Sequence, residues 1–154
     1  MPIPRMDVAL EVATALEARS ITVALGGSGL LAALGLLDEV RDWDLTTDES
    51  PEMVAAALDS AGIRFCPIVA GDQDYTTRAR FCVPGDGCDV DLIVGFGLRY
   101  EGEIVRFPTR VTGQWRGLPL GDPVTWELAY RILGRPARAE ALRRWLDDAV
   151  SDKP

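Results

Sequence analysis

The stretch Arg41-Asp42-Trp43-Asp44-Leu45 decides how this chain is read. Two aspartates alternate with two bulky apolar residues, the pattern of a half-buried strand, in which side chains at i and i+2 share a side. Asp42 and Asp44 then face one way, Trp43 and Leu45 the other. Two carboxylates on one open face invite a divalent cation. Upstream lies Gly26-Gly27-Ser28-Gly29, whose glycines let backbone N–H groups approach a phosphate closely. Downstream, Cys88-Asp89-Val90-Asp91-Leu92-Ile93-Val94 repeats the alternation, with Asp89 and Asp91 on one face. Laid side by side with matched faces, the two acidic strands would bring three or four carboxylates together. A pair of magnesium ions needs such a set of oxygens, with substrate phosphate filling other positions.

The composition narrows the chemistry. A chain of 154 residues is long enough for one domain with a real core. The net charge of −8 argues against a wide nucleic-acid footprint, which needs a basic surface, but is compatible with a small nucleotide met by metal and a few arginines. Histidine is absent. That excludes Ser-His-Asp and Cys-His catalysis, histidine metal ligands and a histidine general base. Acid–base work falls to carboxylates, and any metal to oxygen ligands, which suits magnesium or manganese. Lys153 is the only lysine, so nearly all cationic groups are arginine. Cys66, Cys82 and Cys88 are odd in number with no close C-x-x-C pair, which predicts free thiols rather than a disulfide framework or a closed zinc site. The apolar runs stop short of a membrane span. Met1-Pro2-Ile3-Pro4-Arg5 lacks the features of a signal peptide, so a cytoplasmic location without membrane association is expected.

Along the chain, apolar spacing predicts a helix over about Met6 to Ala18 and a short strand over Ile21 to Leu25. A buried helix is expected over Leu30 to Leu37 and the acidic strand over Val40 to Thr46. Ser50-Pro51 reads as a helix cap followed by Pro at the first helical position, with the helix running to Ser60 and stopping at Gly62. Ile63 to Val69 reads as a strand, and Gly71-Asp72-Gln73-Asp74 as a loop. Thr76 to Val83 and Cys88 to Val94 form a hairpin across Pro84-Gly85-Asp86-Gly87. Gly95 to Tyr100 is expected to turn, Glu103 to Phe107 to form an edge strand, and Arg110 to Leu120 to be irregular. Asp122-Pro123 opens another helix, ended by Gly134, and Pro136 opens the last. The expected class is α+β, a mixed sheet flanked by helices, in one domain over 1–154 with a core of about 21–107 and closing helices of about 122–149. In that hairpin Val83 pairs with Cys88, Cys82 with Asp89 and Arg80 with Asp91. Arg80 then either ion-pairs with Asp91 or contacts a triphosphate, and a β-bulge would shift this register.

Taken together, these residues resemble the polymerase-beta-like nucleotidyltransferase superfamily. The resemblance rests on Leu25-Gly26-Gly27-Ser28, then Asp42-Trp43-Asp44-Leu45, then Val90-Asp91-Leu92-Ile93, in that order. With Arg41 before the aspartates, it is more similar to the antibiotic (aminoglycoside and lincosamide) and type IV antitoxin-system nucleotidyltransferases than to DNA polymerases. Gly117 to Pro123, Arg131 and Gly134-Arg135-Pro136 resemble the closing helices of those proteins, so the likeness runs from about Ile21 to Leu146.

The resemblance implies a nucleotidyltransferase fold and a metal-dependent transfer of a nucleoside monophosphate from an NTP to a hydroxyl, releasing pyrophosphate. It implies that Gly26, Gly27 and Ser28 hold nucleotide phosphates, with Arg41 and Arg80 as further nucleotide contacts. Asp42 and Asp44 would bind Mg2+ or Mn2+. Asp91 would complete the catalytic and metal-binding triad and help deprotonate the acceptor, with Asp89 as fallback. Where family members often carry a lysine in the closing helices, this chain has Arg131, Arg135 and Arg138. The acceptor, a small molecule or a protein, would be met by a small site, a site shared across a homodimer, or one completed by a protein partner. All three acidic positions are filled, which favours an active enzyme. The alternative is an inactive module of the same fold, acting as a nucleotide sensor or antitoxin-like partner. Trp126, Tyr130 and Trp145 read as helix-packing residues rather than as a stacking platform for a base.

Overall fold

The computed structural model describes residues 6–68, 77–85 and 87–151. Among the described residues, five helices and nine strands follow one another as α1 (Asp7–Glu17), β1 (Ala24–Gly26), α2 (Gly27–Ala33), β2 (Trp43–Thr47), α3 (Pro51–Ser60), β3 (Cys66–Pro67), β4 (Ala79–Pro84), β5 (Cys88–Val94), β6 (Gly97–Tyr100), β7 (Glu103–Arg106), β8 (Gly113–Trp115), β9 (Leu118–Leu120), α4 (Pro123–Ile132) and α5 (Pro136–Ser151). Seven strands form one sheet in the order β3-β4-β5-β2-β1-β9-β8, while β6 and β7 pair separately. The sheet is mixed: β2 runs parallel to β5 and β1 parallel to β9, and the other pairings are antiparallel. The α+β class expected from the sequence is the one observed.

The alternation in the acidic strands sorts the core into two clusters. Trp43, Leu45, Val90, Leu92 and Val94 join Val12 and Leu16 of α1 and Val54 and Leu58 of α3 in one. Ile93 joins Leu30 and Leu31 of α2, Phe96, Leu98, Phe107, Trp126, Ala129 and Tyr130 of α4, and Ala139 and Leu142 of α5 in the other. The central strands are therefore covered on both faces, and the acidic residues point toward the α4–α5 side. Helix starts follow their local signals. Ser50 accepts a bond from Met53 N–H, and Asp122 accepts one from Val124 N–H, each just before a Pro.

Several expected boundaries move. The strand expected over Ile21 to Leu25 narrows to Ala24–Gly26, and the helix after it begins at Gly27 and ends at Ala33. The acidic strand begins at Trp43, so Asp42 stands just ahead of it. The strand after α3 shrinks to Cys66–Pro67; Val69, the 71–74 loop, Thr76 and Asp86 lie outside the described residues. Gly95 to Tyr100 is not merely a turn, since Gly97–Tyr100 pairs with Glu103–Arg106. The stretch expected to be irregular contains the β8–β9 hairpin, and Leu120 pairs with Leu25 of β1. The pairing was hidden because each strand has three residues, too short to display a period.

The hairpin register also differs. Val83 pairs with Val90 and Pro84 with Cys88, leaving Asp89 as the extra residue of a bulge. Pro84 has no N–H to offer the ladder, and Asp89 Oδ1 accepts from Gly87 N at 3.2 Å. The Asp89 carboxylate is thus held by the turn. Downstream of the bulge, Cys82 lies opposite Asp91 and Arg80 opposite Ile93. The slip is two residues, which preserves the face. Cys82 and Cys88 are joined as a disulfide across this hairpin, with Cα atoms 5.6 Å apart. The expectation of three free thiols is corrected to one, the exposed Cys66.

Candidate active site

Three adjacent strands line up the elements of the site. Gly26 of β1 is the register partner of Asp44 on β2, and Asp44 is the partner of Asp91 on β5. Asp42 enters from the segment just before β2. The outcome is that Asp42, Asp44 and Asp91 each offer a carboxylate oxygen within 4.8 Å of the others. Asp42 and Asp44 are half-buried and Asp91 is buried. Asp89, held by the hairpin turn, stays out of this cluster.

The glycine turn is built against one of these carboxylates. Gly27 has φ +57°, a backbone conformation that L side chains rarely adopt, and a Cβ there would collide with Asp44 Oδ2. A Cβ on Gly26 would strike the indole of Trp126 from α4. The two glycines therefore fit a narrow slot between Asp44 and Trp126, and Ser28 follows half-buried at the start of α2.

Among the described residues, Arg80 supplies the close counter-charge bonded to this cluster. Its Nε donates to Asp91 Oδ1 at 3.2 Å and its Nη2 donates to Asp91 Oδ2, a fork-on-carboxylate pair of the strong, directional kind. Of the two roles open to Arg80, the ion pair is the one observed. It is reached diagonally across the ladder rather than between directly opposed residues. Arg41 is exposed beside Asp42 and lies outside the cavity lining.

The remaining wall comes from the closing helices. Gly27, Asp44, Arg80 and Asp91 share a cavity of about 110 Å³ with Phe96, Trp126, Tyr130, Arg135 and Arg138, among others. That size suits phosphate groups better than a whole nucleotide. Arg138 Nη1 donates to Tyr130 Oη at 3.3 Å, and its guanidinium lies 5.5 Å from the centre of that ring. Of the three closing-helix arginines, Arg135 and Arg138 reach the cavity. Arg131 instead pairs with Glu127 one turn back, at 3.1 Å. Trp126 and Tyr130 are core residues, as their helical spacing predicts, at 6% and 3% exposure. They also wall the site, which helix periodicity does not reveal. Phe96 and Ile93 were not singled out from the sequence; the alternation in β5 that puts Ile93 beside Asp91 was the available signal.

Electrostatics mark the cluster as short of positive charge. Burial, and then the charge of Asp91, push the Asp42 carboxyl up, against a lowering by Arg80. Burial pushes Asp44 well above its ordinary range, reinforced by Asp42 and Asp91 and opposed by Arg80 and Arg138. Three carboxylates share one bonded guanidinium, an arrangement that disfavours full ionisation unless more cation arrives. Hard oxygen donors converging from three directions fit a divalent ion such as Mg2+ or Mn2+, which Asp42, Asp44 and Asp91 would hold.

No protein-family model matches the chain, and no curated protein matches it in sequence. Solved structures do. A Thermotoga maritima protein, whose nucleotidyltransferase assignment is provisional, superposes with a TM-score of 0.62 at 24% identity, covering 93% of this chain and 92% of its own. The antibiotic-resistance factor ANT(2'')-Ia in solution gives 0.57 at 14% identity, covering 94% of this chain and 84% of its own. This chain has a nucleotidyltransferase fold. Agreement at such low identity speaks for the fold alone. What the nucleotidyltransferase fold adds is a frame in which the acidic cluster and the glycine turn meet on the face walled by α4 and α5.

Proposed function

We propose that this chain is a metal-dependent nucleotidyltransferase, moving a nucleoside monophosphate from an NTP to a hydroxyl on a small molecule or protein. The observation that carries the reading is the convergence of Asp42, Asp44 and Asp91 beside the Gly26–Gly27 slot. In the reaction, the acceptor oxygen bonds to the α-phosphorus, the bond from that phosphorus to the bridging oxygen breaks, and pyrophosphate leaves with the bonding electrons. Bound Mg2+ or Mn2+ would neutralise phosphate charge and ease ionisation of the acceptor hydroxyl.

The residues around it have separable tasks. Asp42, Asp44 and Asp91 would hold the cation, and Asp91 would receive the acceptor proton. Arg80 orients the Asp91 carboxylate through its two-point pair. Arg135 and Arg138, which line the same cavity as Asp44 and Asp91, suit the non-bridging oxygens of the leaving pyrophosphate. Gly26, Gly27 and Ser28 admit the phosphate chain close to the backbone. Most of the rate would come from positioning and charge neutralisation, as in phosphoryl transfer generally.

The test is pyrophosphate release from each NTP with Mg2+ or Mn2+ against a panel of hydroxylated acceptors, with titration calorimetry of the same NTPs in parallel. Turnover that needs metal and disappears in Asp44→Asn supports the reading. NTP binding with no turnover on any acceptor points to the non-catalytic sensor instead. The absence of both binding and turnover defeats both.

A further inference from the structure

A second cavity, of about 170 Å³, opens on the same side of the sheet and is lined by Asp48, Arg78, Gly95, Phe96, Arg106, Phe107 and Pro108. Phe96 belongs to the walls of both cavities. The second lies where β5 ends, four residues beyond Asp91, or roughly 13 Å along the strand at ~3.3 Å per residue. It is not part of the acidic cluster, and the proposed transfer chemistry makes no use of its residues.

Its charge is opposite in sign to that of the acidic cluster. Arg78 lies two residues from Arg80, so the extended chain carries both arginines toward the same side. The Arg78 stem runs over the Cα of Gly95. A Cβ there would come within 2.8 Å of Arg78 Cδ, and Gly95 has φ +65°. The backbone under Arg78 is pinned on both sides, by Arg78 N–H donating to Val94 O and by Thr77 Oγ1 exchanging bonds with Gly97 at 3.3 and 3.4 Å. No hydrogen bond or ion pair is made by the Arg78 guanidinium among the described residues. Arg106 comes from β7, with Nη1 donating to Gly95 O at 3.0 Å. The opposing acid, Asp48, is already engaged: its Oδ2 accepts from Thr109 N at 2.8 Å and its Oδ1 from Thr109 Oγ1 at 3.3 Å. Two guanidiniums over an aromatic floor of Phe96 and Phe107, whose rings lie 5.0 Å apart, form a recess for a small planar or tetrahedral anion.

We propose that this recess binds the anionic group of the acceptor, so that the preferred acceptor is a hydroxylated phosphate ester or carboxylate long enough to reach from the recess to the acidic cluster. Phe96 separates the anion from the reacting hydroxyl, and the two cavities together set the distance between them. Calling the ligand an acceptor rests on the transfer reading above; the anion recess itself does not.

The test uses the full chain, isotopically labelled, without nucleotide or metal. It is titrated at constant ionic strength with glycerol 3-phosphate, with glycerate, and with uncharged glycerol. Saturable amide shifts at Gly95, Phe96 and Phe107 are expected for one or both anions and not for glycerol; the two anion arms show whether phosphate or carboxylate is preferred. Affinity should fall at least tenfold in Arg78→Glu and less in Arg78→Gln, with unchanged spectra elsewhere reporting an intact fold. Absence of saturable shifts, shifts that survive Arg78→Glu unchanged, or shifts centred on Arg135 and Arg138 would each overturn the proposal. A pyrophosphate assay separates the two ideas. Anion binding at the recess without turnover leaves the recess standing and removes the transfer reading. Turnover on a hydroxylated acceptor, with no shifts at the recess for either anion, does the reverse.

Discussion

The Cα of Gly27 lies against the carboxylate of Asp44, so closely that a methyl group there would take the place of Asp44 Oδ2. The glycine turn and the first strand aspartate are two sides of one contact. Their spacing depends on a backbone at φ +57° that a side chain would strain. Gly27→Ala should therefore cost stability, about 1–3 kcal/mol, and displace Asp44. Chemical denaturation gives the first quantity and metal titration the second. A variant that binds Mg2+ as tightly as the parent would show that the contact does not shape the site.

Gly26 and Trp126 form the matching contact on the other side of the turn. Gly26→Ala should be destabilising because its methyl meets the indole. Trp126→Leu should be destabilising because it leaves a void in a stack that also holds Phe96, 5.0 Å away, and Tyr130, 5.7 Å away. The double variant should be less unstable than the sum of the two, by about 1 kcal/mol or more, since each change removes the other's cost. Strict additivity in urea unfolding would mean that the two residues act independently.

Arg80 and Asp91 are a partly buried pair, with the arginine side chain 26% exposed and the aspartate 9%. Arg80→Met keeps the stem and removes the charge, leaving Asp91 among two other carboxylates. A loss of about 1–3 kcal/mol is expected without metal, below the range for fully buried pairs because solvent reaches the arginine. Saturating Mg2+ should restore most of it. If the metal leaves the deficit untouched, the pair and the cation do not share Asp91.

The pH response without metal follows from Asp44. Its folded carboxyl titrates well above the ordinary 3.8. Below 3.8 the group is protonated in both states. Above it the unfolded chain releases the proton first, so the unfolded state binds fewer protons and stability falls as pH rises, until the folded group also ionises. The melting temperature in EDTA should therefore drop more steeply with pH for the parent than for Asp44→Asn. The variant should be the more stable of the two near neutral pH, and added Mg2+ should raise the parent alone. A constant difference between the two proteins across about pH 4 to about pH 8 would count against a desolvated, charge-crowded Asp44.

The same substitution should lower metal-dependent turnover by at least ~100-fold while leaving the fold intact, as expected when a group acts chiefly in the transition state. Steady-state kinetics with matched circular dichroism measures both. Turnover within a few fold of the parent would mean that Asp44 holds no catalytic metal.

The amino-acid order by itself determined the acidic alternation, the glycine turn, the helix caps at Ser50 and Asp122 and the lack of histidine. These are local properties, set by residue chemistry and by periods of two or 3.6. They were enough for the α+β class and for setting Asp42 and Asp44 beside a second acidic strand that offered Asp89 or Asp91. Only the tertiary structure decided between Asp91 and Asp89, because a bulge one residue long hands Asp89 to the hairpin turn. Only the tertiary structure made the three-residue strands β8 and β9 part of the sheet, joined Cys82 to Cys88, and brought Trp126 against Gly26. It also sorted Arg135 and Arg138 into the cavity and Arg131 away from it. These outcomes depend on contacts between residues far apart in the chain, where register and packing, rather than local period, select the neighbour.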